Sequence, residues 1–129
     1  GNIPAFIHIS DGKMHEVNVL DDLQLERGAF YLMDRGYLDF ARLFVIAQHQ
    51  AFFVIRAKSN MKFKRRYSHE VDRQATAVIC DQTGVLTGYQ SAKDYPQALR
   101  RVVVRDEAGD RVTFLTNNFA LKPQLIADL

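Results

Sequence analysis

The amino-acid sequence predicts a mixed α/β fold, with an α/β first part followed by a β-rich second part. In the first part, an apolar run, an amphipathic stretch and a second apolar run follow one another with short connections. This order is typical of a strand, a crossover helix and a parallel strand. After residue 58 the pattern changes to short alternating or β-branched runs separated by turn signals, which predicts antiparallel strands. With 129 residues, 47% of them hydrophobic, the chain can bury one core and is small for two.

Three strands and a helix are predicted in the first part. The strands are expected at about residues 3–9, 29–33 and 52–56, with a short helical or irregular stretch at about 15–23. The helix is expected at about 38–48, because apolar residues recur there at the i, i+3, i+4 spacing of a core-facing stripe: Tyr37, Phe40, Ala41, Phe44 and Val45. Asp39 falls in its first turn, where a negative charge suits the helix dipole.

The second part is predicted to contain four strands, at residues 61–67, 76–80, 101–105 and 111–115. The last two flank Glu107-Ala108-Gly109-Asp110, which is a clear hairpin signal. Residues 120–129 are typical of the start of a helix, with Pro123 in its first turn.

Asp34 is the most informative single residue. It closes the apolar run 30–33 and is followed at once by Arg35-Gly36, so it is expected at the carboxyl end of a buried strand. Open α/β sheets place their ligand-binding groups at that end, which favours a catalytic or metal-binding role. The alternative is that Asp34 caps the following helix, and its position alone supports the two interpretations about equally.

The surrounding motifs resemble a known family. Asp34-Arg35-Gly36-Tyr37-Leu38-Asp39-Phe40, the helix pattern and the segment 52–60 are similar to the middle of a DDE-type transposase of bacterial insertion sequences, family-four group. The likeness extends from residues 2–9 to the segment 114–119. It implies a ribonuclease H-like fold on which three carboxylates hold two divalent metal ions, with Asp34 matching the second carboxylate.

The resemblance also implies a domain organisation and an activity. Residues 1–58 would be a partial ribonuclease H-like core, 59–119 a β-rich insertion subdomain and 120–129 the start of a truncated helix. The other two carboxylates are expected outside the chain, so this stretch alone is expected to be inactive. The full-length enzyme would use Mg²⁺ for DNA strand cleavage and strand transfer, with Asp34 as catalytic residue and metal ligand. The alternative is a catalytically inactive remnant or a domesticated nucleic-acid or protein-binding module.

The resemblance also implies that the partner is duplex DNA, at the transposon ends and at the target. The full-length enzyme is expected to be a homodimer and to be associated with the nucleoid in the bacterial cytoplasm. The net charge of +2 is too small to predict DNA binding, but basic residues cluster. The predicted DNA-binding residues are Arg35, Arg56, Lys58, Lys62, Lys64, Arg65 and Arg66, with a second basic group at Arg100, Arg101 and Arg105. The alternative for each cluster is a solvated strand face.

Some classes of protein are excluded by the sequence. Cys80 is the single cysteine, which rules out an internal disulfide and a cysteine zinc site, and the four histidines lack zinc-ligand spacing. No apolar run approaches the roughly 20 residues of a membrane helix.

Overall fold

The computed structural model describes residues 5–9, 25–33, 39–58 and 60–129. Seven strands and three helices lie in these ranges. In chain order they are β1 (Phe6–Ile9), β2 (Phe30–Met33), α1 (Phe40–Gln48), β3 (Phe52–Ala57), β4 (Phe63–His69), β5 (Val78–Leu86), α2 (Tyr89–Asp94), β6 (Leu99–Arg105), β7 (Arg111–Thr116) and α3 (Pro123–Asp128).

All of these strands belong to one seven-stranded sheet with the order β1-β2-β3-β7-β6-β5-β4. β1, β2 and β3 run parallel, and every other neighbouring pair is antiparallel. The predicted mixed α/β fold, with a parallel first part and an antiparallel second part, is therefore confirmed.

The two parts of the sheet meet at the pair formed by β3 and β7. Val54 is opposite Thr116 and Ala57 is opposite Thr113, so the sheet hydrogen bonds continue from the first part into the second. The predicted division of the chain into domains at residue 58 stays a prediction. Strands from before and after residue 58 share this one sheet.

Most predicted strands are present, with some differences in extent. The segment 76–80 was predicted too short, because β5 continues to Leu86 through Gln82-Thr83-Gly84, where it pairs with β4 and β6. Helix α2 was not predicted at all. The expected stretch at 15–23 and the starts of the first strand and of the first helix lie outside the described residues. None of the described helices has the length and apolar character needed to cross a membrane.

The start of α1 differs from the prediction at Asp39. This residue does not lie in the first turn but is the N-cap, with extended backbone angles, and its side chain accepts a hydrogen bond from the Arg42 backbone N–H at 3.2 Å. The buried face of the helix is also shifted. Leu43 and Ile46 are buried, whereas Val45, expected in the core-facing stripe, is 42% exposed.

Two apolar cores form, one on each face of the sheet. The first lies on the face that α1 covers, here called the α1 face, and contains Tyr31, Met33, Phe53, Ile55, Leu99 and Leu115 together with Leu43 and Ile46. The second lies on the opposite face, here called the α3 face, and contains Phe30, Leu32, Val54, Val102 and Val104 together with Ile126 of α3. Strand residues alternate between these faces, as the period of two requires.

A polar segment at the end of β7 holds the first part to the second. The Asn117 Oδ1 accepts from the Phe53 backbone N–H at 2.9 Å, and its Nδ2 donates to the Ala51 carbonyl at 3.0 Å. The buried Thr116 hydroxyl donates to the Phe53 carbonyl at 2.6 Å. Asn118 Oδ1 then accepts from the backbone N–H groups of the two residues that lead towards α3. These hydrogen bonds fix the position of β7 relative to β3. The polar groups that make them cannot be recognised from the pattern of apolar residues.

Candidate nucleic-acid interface and catalytic strand

β2 is the strand that precedes the proposed catalytic residue. It lies between β1 and β3, parallel to both, and all four of its residues are buried. This is the buried, parallel strand that the sequence predicted. Asp34, the predicted metal ligand, and Arg35 follow Met33 in the sequence and lie outside the described residues, so their roles stay predictions.

Arg56 and Lys58 lie at the carboxyl end of β3, the neighbour of β2. Met33 is opposite Ile55, so Arg56 lies one position beyond the partner of the last described residue of β2. Its side chain is half-buried and engaged in an interaction, and Lys58 follows the strand with an exposed side chain. Both predicted DNA-binding residues therefore lie at the end of the sheet where β2 ends.

The other predicted DNA-binding residues lie at the far edge of the sheet. β4 is the last strand in the order, and six of its seven residues are exposed, among them Lys64, Arg65 and Arg66. Lys62, just before it, is also exposed. Five inter-strand spacings separate β4 from β2, which at about 4.8 Å each is about 24 Å. The structure thus divides the predicted site between two places.

A β-bulge in β4 decides which side chains share a face. The pairing register shifts between Arg65 and Tyr67, so that Arg65 is opposite Gly84 and Ser68 is opposite Gln82. Gln82 and Gly84 are two residues apart on β5 and share a face, so Arg65 and Ser68 share it too. In a regular strand, residues three apart would point to opposite faces. In agreement, the Arg65 Nη1 donates to the Ser68 hydroxyl at 3.1 Å.

The second basic group is divided by strand alternation. Arg100 is only 3% exposed, and its Nε and Nη2 donate to the two carboxylate oxygens of Asp81 at 2.8 and 2.7 Å. Its Nη1 donates to the Asn118 carbonyl at 3.3 Å. For Arg100, both interpretations of the sequence are wrong, because the side chain is buried and can neither contact a phosphate nor face solvent. Its charge is compensated by the buried carboxylate of Asp81.

Arg101, the next residue, points to the opposite, α1 face and is only half-buried. Its Nε and Nη2 donate to the Gln82 side-chain oxygen. A signal for this division was present in the sequence: two adjacent arginines in one strand must point to opposite faces, and the predicted strand ending at Cys80 is followed directly by an aspartate, Asp81.

The antiparallel strands carry a strong excess of positive charge. Within the sequences of β4, β5, β6 and β7, Asp81 is the only acidic residue, and Arg100 neutralises it. Basic residues that remain on these strands are Lys64, Arg65, Arg66, Arg101, Arg105 and Arg111. Positive charge on a surface of this kind attracts anionic polymers. On the edge strand β4 it also prevents pairing with strands of other chains.

The described ranges hold no group of three or more His, Cys, Asp or Glu side chains arranged to bind a metal ion. Asp34 lies outside these ranges, so its predicted role as a metal ligand stays a prediction.

A cavity of about 280 Å³ lies at the opposite end of β3, between Ala51, Tyr95, Asn117 and Phe119. Burial raises the pKa of the Tyr95 hydroxyl, and its ring packs edge-on against Phe44 and Phe53. This cavity is at the start of β3, whereas Asp34 follows the carboxyl end of the parallel strand β2 in the sequence.

Comparison with known proteins identifies relatives over most of the chain. The family model described as "Transposase DDE domain" matches residues 1–129. A curated protein of Sinorhizobium fredii (strain NBRC 101917 / NGR234), named "Putative transposase y4zB", is 34% identical over 118 residues, which is 89% of this chain and 33% of that protein. The chain thus spans about a third of the length of this relative. No solved structure matches.

Proposed function

We infer that this chain, which belongs to the transposase DDE domain family, forms part of the catalytic region of a DNA transposase. The family match over the whole chain carries this proposal, and the buried parallel strand that ends directly before Asp34 supports it. The complete enzyme is proposed to cleave transposon ends and join them to target DNA. The resemblance implies that it does so as a homodimer, on the nucleoid of the bacterial cytoplasm.

Asp34 is proposed to be one carboxylate ligand of the divalent ions that this family uses. Mg²⁺ suits a carboxylate at a strand end, because it takes hard oxygen ligands and keeps several waters or substrate phosphates. Two such ions would stabilise the attacking and leaving oxygens of a phosphodiester. Arg56 and Lys58, at the same end of the sheet, are proposed to contact the phosphates next to the cleaved bond.

The basic edge at β4 is proposed to bind flanking duplex. At about 3.4 Å per base pair, the roughly 24 Å from β2 to β4 corresponds to about seven base pairs. Lys64, Arg65 and Arg66 are therefore too far away to touch the phosphate that reacts. They can bind the backbone about seven base pairs from it, which gives affinity without sequence recognition.

Replacing Lys64, Arg65 and Arg66 by glutamine is expected to weaken binding of duplex DNA and to flatten its dependence on salt. Each lost phosphate contact should lower the slope of log affinity against log salt concentration by about 0.9. Fluorescence anisotropy of a labelled duplex between 50 and 200 mM salt, values typical for such titrations, measures both quantities.

The matched control removes the same charge elsewhere. Arg27, Arg111 and Lys122 are exposed and lie on other parts of the chain than β4, so their triple glutamine variant should keep the original slope. Equal slopes for the two triple variants would show that β4 has no DNA contact of its own.

The alternative proposal is an inactive nucleic-acid-binding module. The observation in its favour is that the basic edge lies five strand spacings from β2 and does not depend on Asp34. Both proposals predict that the glutamine variant of Lys64, Arg65 and Arg66 flattens the salt dependence of DNA binding. Only the enzyme requires the Asp34 carboxylate.

A further inference from the structure

The Arg101 guanidinium rests on an aromatic ring. Its central carbon lies 4.6 Å from the centroid of the Phe63 ring, within the range of a cation–π contact. On the same side, its Nε and Nη2 both donate to the single Gln82 side-chain oxygen. Ring and amide together limit the rotation of the guanidinium, so its fork is held in one plane before any ligand arrives.

Gly84 makes this arrangement possible. A Cβ at this position would lie 2.6 Å from the Phe63 ring and 2.2 Å from the Lys64 carbonyl oxygen, closer than atoms can approach. Only a residue without a side chain lets the Phe63 ring lie against β5 and reach Arg101 on β6. The ring therefore serves as a platform whose position is set by the backbone of two strands.

Arg101 keeps hydrogen-bond donors that no group in the described ranges uses. A guanidinium has five N–H groups, and the two directed at Gln82 leave the Nη1 group and one Nη2 hydrogen. In the described part of the chain, Nη1 has no hydrogen-bond partner. By contrast, Arg100 uses all three of its nitrogens on Asp81 and Asn118. The free donors of Arg101 match the paired oxygens of a phosphate.

A second guanidinium lies on the same face. The bulge places Arg65 and Ser68 on the α1 face, and Ser68 is aligned with Gln82 and Arg101 across the sheet. β4 and β6 are two strand spacings apart, about 10 Å, which two arginine side chains can bridge. Asp81, the only acidic residue in these strands, points to the other face and is paired. No carboxylate on β4, β5 or β6 therefore competes for these cations.

We propose that Arg101 and Arg65 form a phosphate-binding site for the backbone of duplex DNA on the α1 face, with Arg101 as the bidentate, preoriented contact. The site rests on the proposed function for its DNA partner. It extends the proposed DNA-binding surface from the edge strand β4 to β6, the third strand from the edge. Neither sequence cluster contains both residues. The β-bulge and the strand pairing bring them to one face.

Arg101→Gln and Arg101→Lys in the complete protein test this site with a labelled duplex. Arg101→Gln should lower affinity about tenfold, as expected for loss of hydrogen bonds to a charged group, and reduce the salt slope by about 0.9. Arg101→Lys keeps the charge but loses the fork, so the slope should be retained while affinity still falls. Lys122→Gln, on the opposite side of the sheet, removes the same charge and should leave both quantities unchanged.

The outcomes separate this site from the wider DNA surface. If Arg65→Gln weakens binding and Arg101→Gln behaves like Lys122→Gln, the Arg101 site is wrong and the basic edge stands. If neither arginine variant changes binding, the site on the α1 face is wrong, and the triple variant of Lys64, Arg65 and Arg66 decides separately whether the basic edge binds DNA. A purely structural role for Arg101, covering Phe63, predicts a lower melting temperature for Arg101→Gln with unchanged DNA affinity, and that result would also overturn the site.

Discussion

Asp34→Asn is expected to abolish DNA strand cleavage and strand transfer by the complete transposase while leaving folding and DNA binding intact. Asparagine keeps the size of the side chain and removes the negative charge that a divalent ion needs. Because metal ions contribute several kcal/mol to stabilising the transition state of phosphodiester cleavage, the rate should fall at least about a thousandfold. Cleavage of an end-labelled transposon end, resolved on a denaturing gel, measures the effect.

Asp39→Asn is the matched control, because Asp39 is an acidic residue close in sequence whose role the structure does describe. It caps α1 through the Arg42 backbone N–H and forms an ion pair with the Arg42 side chain, which is about one quarter exposed. Asparagine is an equally good N-cap, and the partly exposed ion pair contributes at most about 1 kcal/mol. Asp39→Asn should therefore keep its activity. Normal cleavage by Asp34→Asn, or an equal loss in both variants, would reject Asp34 as a metal ligand.

Asp81→Asn is expected to lower the free energy of unfolding by about 3 to 5 kcal/mol, because it leaves the Arg100 charge buried without its counter-charge. The two side chains are only 5% and 4% exposed, so water cannot compensate. Urea denaturation followed by circular dichroism measures the change. Asp110→Asn, at an exposed turn, should cost less than about 0.5 kcal/mol.

A double variant distinguishes the lost pairing from lost packing. Asp81→Leu combined with Arg100→Met removes both charges and keeps apolar volume, so it should destabilise the fold less than Asp81→Asn alone. If the double variant is the less stable of the two, the pair contributes net stability, and unpaired charge is not the main cost.

Sequence patterns predicted the strands well where one face is buried. The runs 52–56 and 111–115 were predicted within one residue of β3 and β7, because buried faces require alternating or continuous apolar residues. The pairing of β3 with β7 was not predictable in the same way. It joins residues about 60 positions apart and depends on amide side chains such as Asn117, whose bonds to the start of β3 leave no periodic signal.

The placement of the basic residues on the sheet was only partly predictable for a related reason. Charge clusters indicate that basic residues are present, but not which face each occupies. Arg100 and Arg101 are neighbours in sequence, yet one is buried with Asp81 and the other lies on the α1 face. The bulge after Arg65 reverses the alternation within β4, and a bulge depends on the partner strand as much as on the strand itself.

The central claim, that Asp34 binds a catalytic metal ion, is tested most directly by changing the ligand and the metal together. Asp34→Cys replaces a hard oxygen ligand by a soft thiolate, which binds Mg²⁺ poorly and softer ions such as Cd²⁺ well. We expect the Asp34→Cys transposase to show no strand cleavage with Mg²⁺ and to regain measurable cleavage with Mn²⁺ or Cd²⁺, while Asp39→Cys keeps the metal preference of the unmodified enzyme. Full cleavage by Asp34→Cys in Mg²⁺ alone would contradict the claim.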